Sequence, residues 1–286
     1  SGKGGTGKTS LVGAFATLGG NSLVADCDVD ASDLPLLLQP AVENWGVFSG
    51  GQVATIKQEQ CKNCGVCKNY CRFEAISHRN GEYFIDPLSC EGCGLCYLVC
   101  PNQAIEINKT INGEWYVSRT RTGKMAHSRL GLAQENSGRL VTLTREKAGN
   151  LFEPGKNREV LIDGSPGTGC PVIASLSGAN YALIVTEPTL SGIHDLKRIV
   201  ELTNFFRIPA GVVVNKWDIN QGISGKIEKY SLEQGLDFLG KLPFDHSITL
   251  AQFDQKTIIE YAPLSPLSIE IKKLWGRLLS RLRKTY

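Results

Sequence analysis

The chain opens "SGKGGTGKTS" (residues 1–10), and residues 2–9, GKGGTGKT, satisfy the pattern G-x-x-x-x-G-K-[S/T]. Gly2, Gly4, Gly5 and Gly7 let the backbone turn its N–H groups inward around phosphate oxygens, with Thr6 and Ser10 in the same turn. A helix beginning near Lys8 would add its positive end. Lys8 is placed to neutralise β- and γ-phosphate charge, and the Thr9 hydroxyl to reach Mg2+. Such a loop joins a buried strand to a helix at the carboxyl edge of a parallel sheet. Nothing precedes Ser1 in the sequence, so the sheet is expected to lack a strand at its centre.

Outward from the loop, four short runs read as buried parallel strands: "SLVADC" (22–27), "EVLID" (159–163), "ALIVTE" (182–187) and "GVVVNK" (211–216). They are rich in Val, Ile and Leu and do not alternate with polar residues, as expected where helices cover both faces. A helix is expected from Ser191 to about Phe206, with Ser191 as its N-cap. "EWYVSRT" (114–120) and "GRLVTLT" (138–144) read as short strands. The alternation predicts an α/β fold with a doubly wound, mostly parallel sheet.

The totals set bounds. The chain has 286 residues, 42% of them hydrophobic and 21% charged, enough for one large domain and a small module. A net charge of +3 gives no reason to expect nucleic acid as a partner. No apolar run approaches the roughly 20 residues of a membrane helix. No secretion-signal pattern is present, so a cytoplasmic location is expected.

Three more segments fall at strand ends, where such sheets bind ligands. "ADCDVDASD" (25–33) offers Asp26, Asp28, Asp30 and Asp33. "DGSPGTG" (163–169) places Asp163 to hold a metal-bound water, with glycines that let the loop move. "NKWD" (215–218) stands where a base could sit.

The additional lysine of the loop, Lys3, resembles the signature lysine of the deviant Walker A ATPases, the group of MinD, ParA and the nitrogenase iron protein. That resemblance covers most of the chain. It implies Mg-dependent ATP hydrolysis and a homodimer in which Lys3 reaches nucleotide across the interface. It further implies that Lys3, Lys8 and Asp28 are catalytic, with Asp28 orienting the attacking water. Asp163 would support Mg2+ and Asn215 would read adenine. Asp30 and Asp33 have weaker claims to a role at the site, with a solvated acidic loop as the equal alternative. "NKWD" also fits the guanine-reading N-K-x-D, but a GTPase would show D-x-x-G after its strand, and Pro166 stands at that offset from Asp163. ATP is therefore favoured over GTP.

Eight of the ten cysteines form two C-x2-C-x2-C-x3-C arrays, "CKNCGVCKNYCRFEAI" (61–76) and "CEGCGLCYLVCPNQAI" (90–105), offset by 29 residues throughout. That spacing reads as metal binding rather than as disulfides. In runs of this kind the fourth cysteine ligates the other cluster. Cys61, Cys64, Cys67 and Cys100 are thus assigned to one 4Fe–4S cluster, and Cys90, Cys93, Cys96 and Cys71 to a second. The segment is similar to two-cluster bacterial ferredoxins. Zinc is the alternative, but the doubled array is more specific to iron and sulfide. The expected division is therefore 1–57 and 109–286 for an ATPase domain, with an inserted α+β ferredoxin-like domain at 58–108. Arg72 stands where the second array has Pro101, and its charge is expected to raise the potential of the cluster that Cys71 serves.

Cys27 and Cys170 are left over. Cys27 reads as packing. Cys170, just after the Asp163 loop, reads as a small buried thiol, or as a ligand bridging subunits as in the nitrogenase iron protein. His194 reads as a surface or capping residue. The C-terminal "SIEIKKLWGRLLSRLRKTY" puts Ile271, Leu274, Trp275, Leu278 and Leu282 on one helical face. It is expected to close the domain, with a membrane surface the less favoured reading. The expected function is ATP-gated electron transfer to a redox or iron–sulfur partner. The alternatives are a cluster-assembly scaffold or carrier, and a MinD-like positioning switch.

Overall fold

Gly7 and Gly20 take φ values of 90° and 72°, left-handed values open to glycine, and helix α1 (Lys8–Gly19) runs between them. The computed structural model describes residues 4–131, 137–153, 155 and 159–283. After α1 come β1 (Leu23–Cys27), α2 (Leu34–Leu38), β2 (Ala41–Phe48), β3 (Gly51–Ile56), α3 (Val66–Tyr70), β4 (Ile76–Arg79) and β5 (Glu82–Ile85). Next are α4 (Leu95–Val99), β6 (Ile105–Thr110), β7 (Gly113–Thr120), β8 (Gly123–Leu130), α5 (Ser137–Asn150), β9 (Val160–Gly164) and α6 (Cys170–Leu176). The chain finishes with β10 (Ala182–Thr186), α7 (Leu190–Phe205), β11 (Ala210–Asn215), α8 (Gln221–Glu233), β12 (Asp237–Leu242), α9 (Ser247–Phe253), α10 (Ile258–Tyr261) and α11 (Pro266–Leu282).

Two compact units result, one from Ser1–Gly46, Trp115–Arg129 and Ser137–Tyr286, the other from Val47–Glu114 and Leu130–Asn136. In the first, the strand order is β2-β7-β8-β1-β9 in one sheet and β10-β11-β12 in another. β1 runs parallel to β8 and β9, and β10, β11 and β12 are mutually parallel.

All of β11 is buried, and its side chains alternate between two cores. Val213 packs with Leu11 and Phe15 of α1 and with Ile271, Leu274 and Trp275 of α11. Val212 and Val214 pack with Leu196 and Ile199 of α7 and Ile227 of α8. Helices therefore cover both faces, as the unbroken apolar runs require. β9 and β10 are the edge strands at which the two sheets stop. Leu161 of β9 nevertheless packs against the same core as Val185 of β10.

The apolar face of α11 is spent inside this unit: Leu267, Ile271, Leu274, Trp275 and Leu278 are buried, and the rings of Phe15 and Trp275 stack at 4.8 Å. Among the described residues no helix is long and apolar enough to cross a membrane.

Two local expectations fail. "GRLVTLT" lies in α5, not in a strand. Its β-branched residues suggest a strand, but Leu140, Val141, Thr144 and Ala148 are the buried ones, a spacing that follows one helical face. Thr144 also returns its hydroxyl to the Leu140 carbonyl at 2.9 Å. α7 begins one residue earlier than expected, and its N-cap is Thr189, whose side chain accepts from the Gly192 N–H at 2.9 Å.

In the second unit β3 pairs antiparallel with β6, from Gly51 opposite Thr110 to Ile56 opposite Ile105. β4 and β5 form a hairpin turned at Asn80 and Gly81, both at positive φ. The five-residue helices α3 and α4 each follow a glycine in the left-handed region, Gly65 at 75° and Gly94 at 77°. The span expected from the cysteines lies inside this unit, which reaches further because β3 is the partner of β6. Its core is small, Ala54, Cys67, Ile76 and Ile105, ringed by Tyr83 and by further cysteine and isoleucine side chains. A core of that size gives little independent stability without a further cross-link.

Candidate functional site

The glycine loop is held from across the first unit. Asn215, the last residue of β11, donates from Nδ2 to the Thr6 carbonyl at 2.9 Å. Its Oδ1 accepts the Lys216 N–H at 3.0 Å. A Cβ on Gly7 would stand 2.5 Å from that Nδ2, so glycine is required there both by φ and by space. Lys216, itself at φ 56°, reaches the Gly5 carbonyl at 3.3 Å and pairs with Glu187 at 2.5 Å. The base-side strand and the phosphate loop are thus tied by two side chains. Gly4 and Gly5 are exposed, Thr6 is buried, and Gly7, Lys8, Thr9 and Ser10 are half-buried. Gly2 and Lys3 lie outside the described residues.

Beneath the loop sit three carboxylates. The parallel register of β1 and β9 sets Asp26 opposite Asp163, and both are buried. Burial, and then the charge of Asp163, pushes Asp26 well above the ordinary carboxylate range. Burial likewise raises Asp163, to about 6, against the opposing pull of Thr9 and Lys8. Asp28 is raised by burial while Lys8 draws it down. The Asp26 oxygens are used internally, accepting the Asp28 N–H at 3.1 Å and the Ser32 hydroxyl at 2.6 Å. Among the described residues both Asp163 oxygens lack a hydrogen bond of good geometry, Thr9 being the nearest donor. A buried carboxylate with two orphaned oxygens, beside Thr9 and Lys8, is a demand for a cation, and the hard oxygens of Thr9 and Asp163 suit Mg2+. Asp30 and Asp33 are exposed.

Asp26 is the residue that sequence reasoning left without a role. Its position between Asp163 on one neighbouring strand and His127 on the other was legible only once β8 was recognised. His127 is buried, its Nε2 bonded to the Ser118 hydroxyl at 2.9 Å, and burial lowers it to about 4. It is neutral at physiological pH. On the base side, Asp218 accepts the Phe244 N–H at 2.8 Å, so one oxygen of the candidate guanine-reading carboxylate is already engaged.

The eight arrayed cysteines line two hollows in the second unit. Cys61, Cys64, Cys67 and Cys100 border one, and Cys71, Cys90, Cys93 and Cys96 border the other. All eight are free of disulfides. Among the described residues no three His, Cys, Asp or Glu side chains are grouped so as to hold one metal ion. Amides point at sulfur: Ala104 N–H donates to Cys100 Sγ at 3.3 Å, and the Lys68 and Tyr97 amides bond Cys67 and Cys96. Arg72 is exposed, its guanidinium 4.8 Å over the Phe73 ring. It does not line the second hollow, whereas Phe73 does.

Cys27 is fully buried and its thiol is pushed to about 12, first by burial and then by Asp26, a packing residue as expected. Cys170 is exposed, not buried, because it starts α6 at the surface, where a Cβ on Gly138 would meet its Cβ at 2.9 Å. His194 is a surface residue.

The sequence profile of the CobQ/CobB/MinD/ParA nucleotide binding domain matches residues 1–258. Two proteins of Methanocaldococcus jannaschii are similar over nearly the whole chain. MJ0578 is 30% identical over 97% of this chain and 94% of its own length. MJ0579 is 29% identical over 96% of each. Among solved structures, MinD from Pyrococcus horikoshii, in complex with Mg-ADP, superposes with a TM-score of 0.60 at 16% identity, covering 100% of this chain and 96% of that one. The Pyrococcus furiosus cell division ATPase MinD gives 0.58 at 16% identity, over 98% and 96%. The two structures show a shared fold. The profile match, running from the phosphate loop beyond the last strand, shows that this chain belongs to the CobQ/CobB/MinD/ParA family of nucleotide-binding domains.

Proposed function

We propose that the chain is a Mg2+-dependent ATPase working as a nucleotide-switched homodimer, whose second unit carries two 4Fe–4S clusters and couples nucleotide state to electron transfer. The observation that carries the ATPase reading is Asp163, buried with both oxygens orphaned beside Lys8 and Thr9. Mg2+ bound there would shield phosphate charge, held by Thr9 and Asp163. Lys8 and the loop amides hold the phosphates. Asp28, half-buried next to Lys8, is the carboxylate positioned to orient water. Asn215 and Lys216 keep the loop in register with the base-side strand. When the γ-phosphate is lost, the segments after β1 and β9 lose their contacts and shift. The test is ATP hydrolysis with and without Mg2+ in the wild type and in Lys8→Ala; Mg-independent turnover, or turnover surviving the substitution, refutes the reading.

The cluster reading rests on two hollows, each bordered by four cysteines drawn from both arrays. Thiolates there would hold iron, and the clusters would supply one-electron chemistry. A MinD-like positioning switch is the second reading. It is favoured by the likeness to MinD structures over nearly the whole chain, including MinD of Aquifex aeolicus in complex with MinC, and it needs no redox chemistry. Iron and acid-labile sulfide in anaerobically prepared protein, and reduction kinetics with and without Mg-ATP, separate the two. Cluster-bearing protein whose electron delivery ignores nucleotide leaves the switch and removes the coupling.

A further inference from the structure

The two halves of the cysteine repeat enclose equivalent hollows, so each position in one serves as a control for the other. Aligned by the offset of 29 residues, most lining residues correspond closely: cysteine on cysteine, Gly65 on Gly94, Ala104 on Ala75, Ile105 on Ile76. Two pairs differ in chemistry. Lys62 lines the first hollow where Glu91 lines the second, and Asn102 lines the first where Phe73 lines the second.

Both differences act in one direction. Reducing a four-thiolate cluster adds a negative charge. An ammonium and an amide donor favour that added charge; a carboxylate and an aromatic ring oppose it. Arg72 carries a contrary charge, but unlike Lys62 and Glu91 it does not line a hollow.

We infer that Lys62 and Glu91 set the order of reduction in the second unit, so that the hollow lined by Lys62 takes the first electron and the one lined by Glu91 the second. This rests on the cluster reading above. Were clusters bound by the cysteines of both hollows, one electron would pass from the Glu91 hollow to the Lys62 hollow. One is oxidised as the other is reduced, and no proton is required. A single electron would therefore rest in the hollow lined by Lys62.

The test is an anaerobic redox titration of the full chain with dithionite, followed by EPR, after iron and sulfide have been measured. Wild type is expected to show two waves. Lys62→Glu should lower only the upper wave, and Glu91→Lys should raise only the lower. The double exchange should close or invert the gap. Both side chains are exposed, so folding is not at risk, and raised salt should narrow the gap by screening. Protein with full iron but one shared wave, or waves that ignore both substitutions, overturns the inference while leaving the clusters in place. Protein without iron and sulfide overturns the cluster reading and this inference with it.

Discussion

Asn215 donates its side-chain amide to the carbonyl of Thr6 at 2.9 Å, joining the end of one buried strand to a loop more than two hundred residues earlier. The same nitrogen occupies the space a Cβ on Gly7 would need. The phosphate loop therefore does not hold its shape alone. It is braced by the strand end that faces the base.

Gly7→Ala should cost both the left-handed φ and this brace. Strain of about 1–2 kcal/mol and a displaced Asn215 predict ATP binding weakened by roughly tenfold or more. Asn215→Ala, which removes the bond but not the glycine, should weaken it by about fivefold to tenfold. Equilibrium binding of a fluorescent ATP analogue measures both. Equal affinity in Gly7→Ala and wild type would refute the brace.

Asp163 supplies an opposition between stability and function. Its pKa is raised to about 6 in the fold, so folding is favoured when it is protonated. That contribution is present in full below the ordinary carboxylate value and is lost as pH rises through about 6. Asp163→Asn should thus stabilise the ligand-free protein at neutral pH, by about 1–3 kcal/mol, while abolishing Mg-dependent hydrolysis. Thermal melts across pH 4–8 should show the wild-type deficit above about pH 6 and none in the variant.

His127 works in the opposite sense. Burial lowers it to about 4, so its contribution is present above about 6.5 and is lost as pH falls toward 4. His127→Gln should flatten the acid limb of the stability curve, an effect of about 2–3 kcal/mol. An unchanged acid limb in urea melts at pH 4.5 would count against it.

Arg121 ties three segments together. It pairs with both oxygens of Glu260 and donates to the carbonyls of Leu37 and Gln255. Burial pushes Glu260 up, yet the bonds from Arg121 and Thr257 outweigh it and bring the carboxyl down to about 2. The side chains are 31% and 25% exposed, so solvent screening reduces what the pair is worth. Arg121→Ala should cost about 1–2 kcal/mol, read as a lowered denaturation midpoint with nucleotide affinity unchanged.

Much of this was legible in the sequence because the chemistry is local. A phosphate loop is written in consecutive residues, and so is each cysteine array. The strands β1, β10 and β11 showed as apolar runs because they are buried almost throughout, and β9 showed by the same run although it is only partly buried. What escaped was whatever depends on pairing. β8, "GKMAHSRL", carries a buried histidine and serine that dilute its apolar signal, and without it Asp26 lacked one of its two flanking strands. α5 was misread because threonines and a valine suit a strand locally, and only the buried face shows the helical period. The exposure of Cys170 was likewise a matter of where α6 begins on the surface, which spacing does not encode.

Gly46 has a consequence of its own. A Cβ there would lie 2.7 Å from the Trp115 ring, and β2 and β7, which carry the two residues, are neighbours in one sheet. The chain therefore departs for the cysteine-bearing segment and comes back from it through adjoining doorposts. The strands at either end of that excursion are held side by side, so its two ends share one anchorage in the sheet.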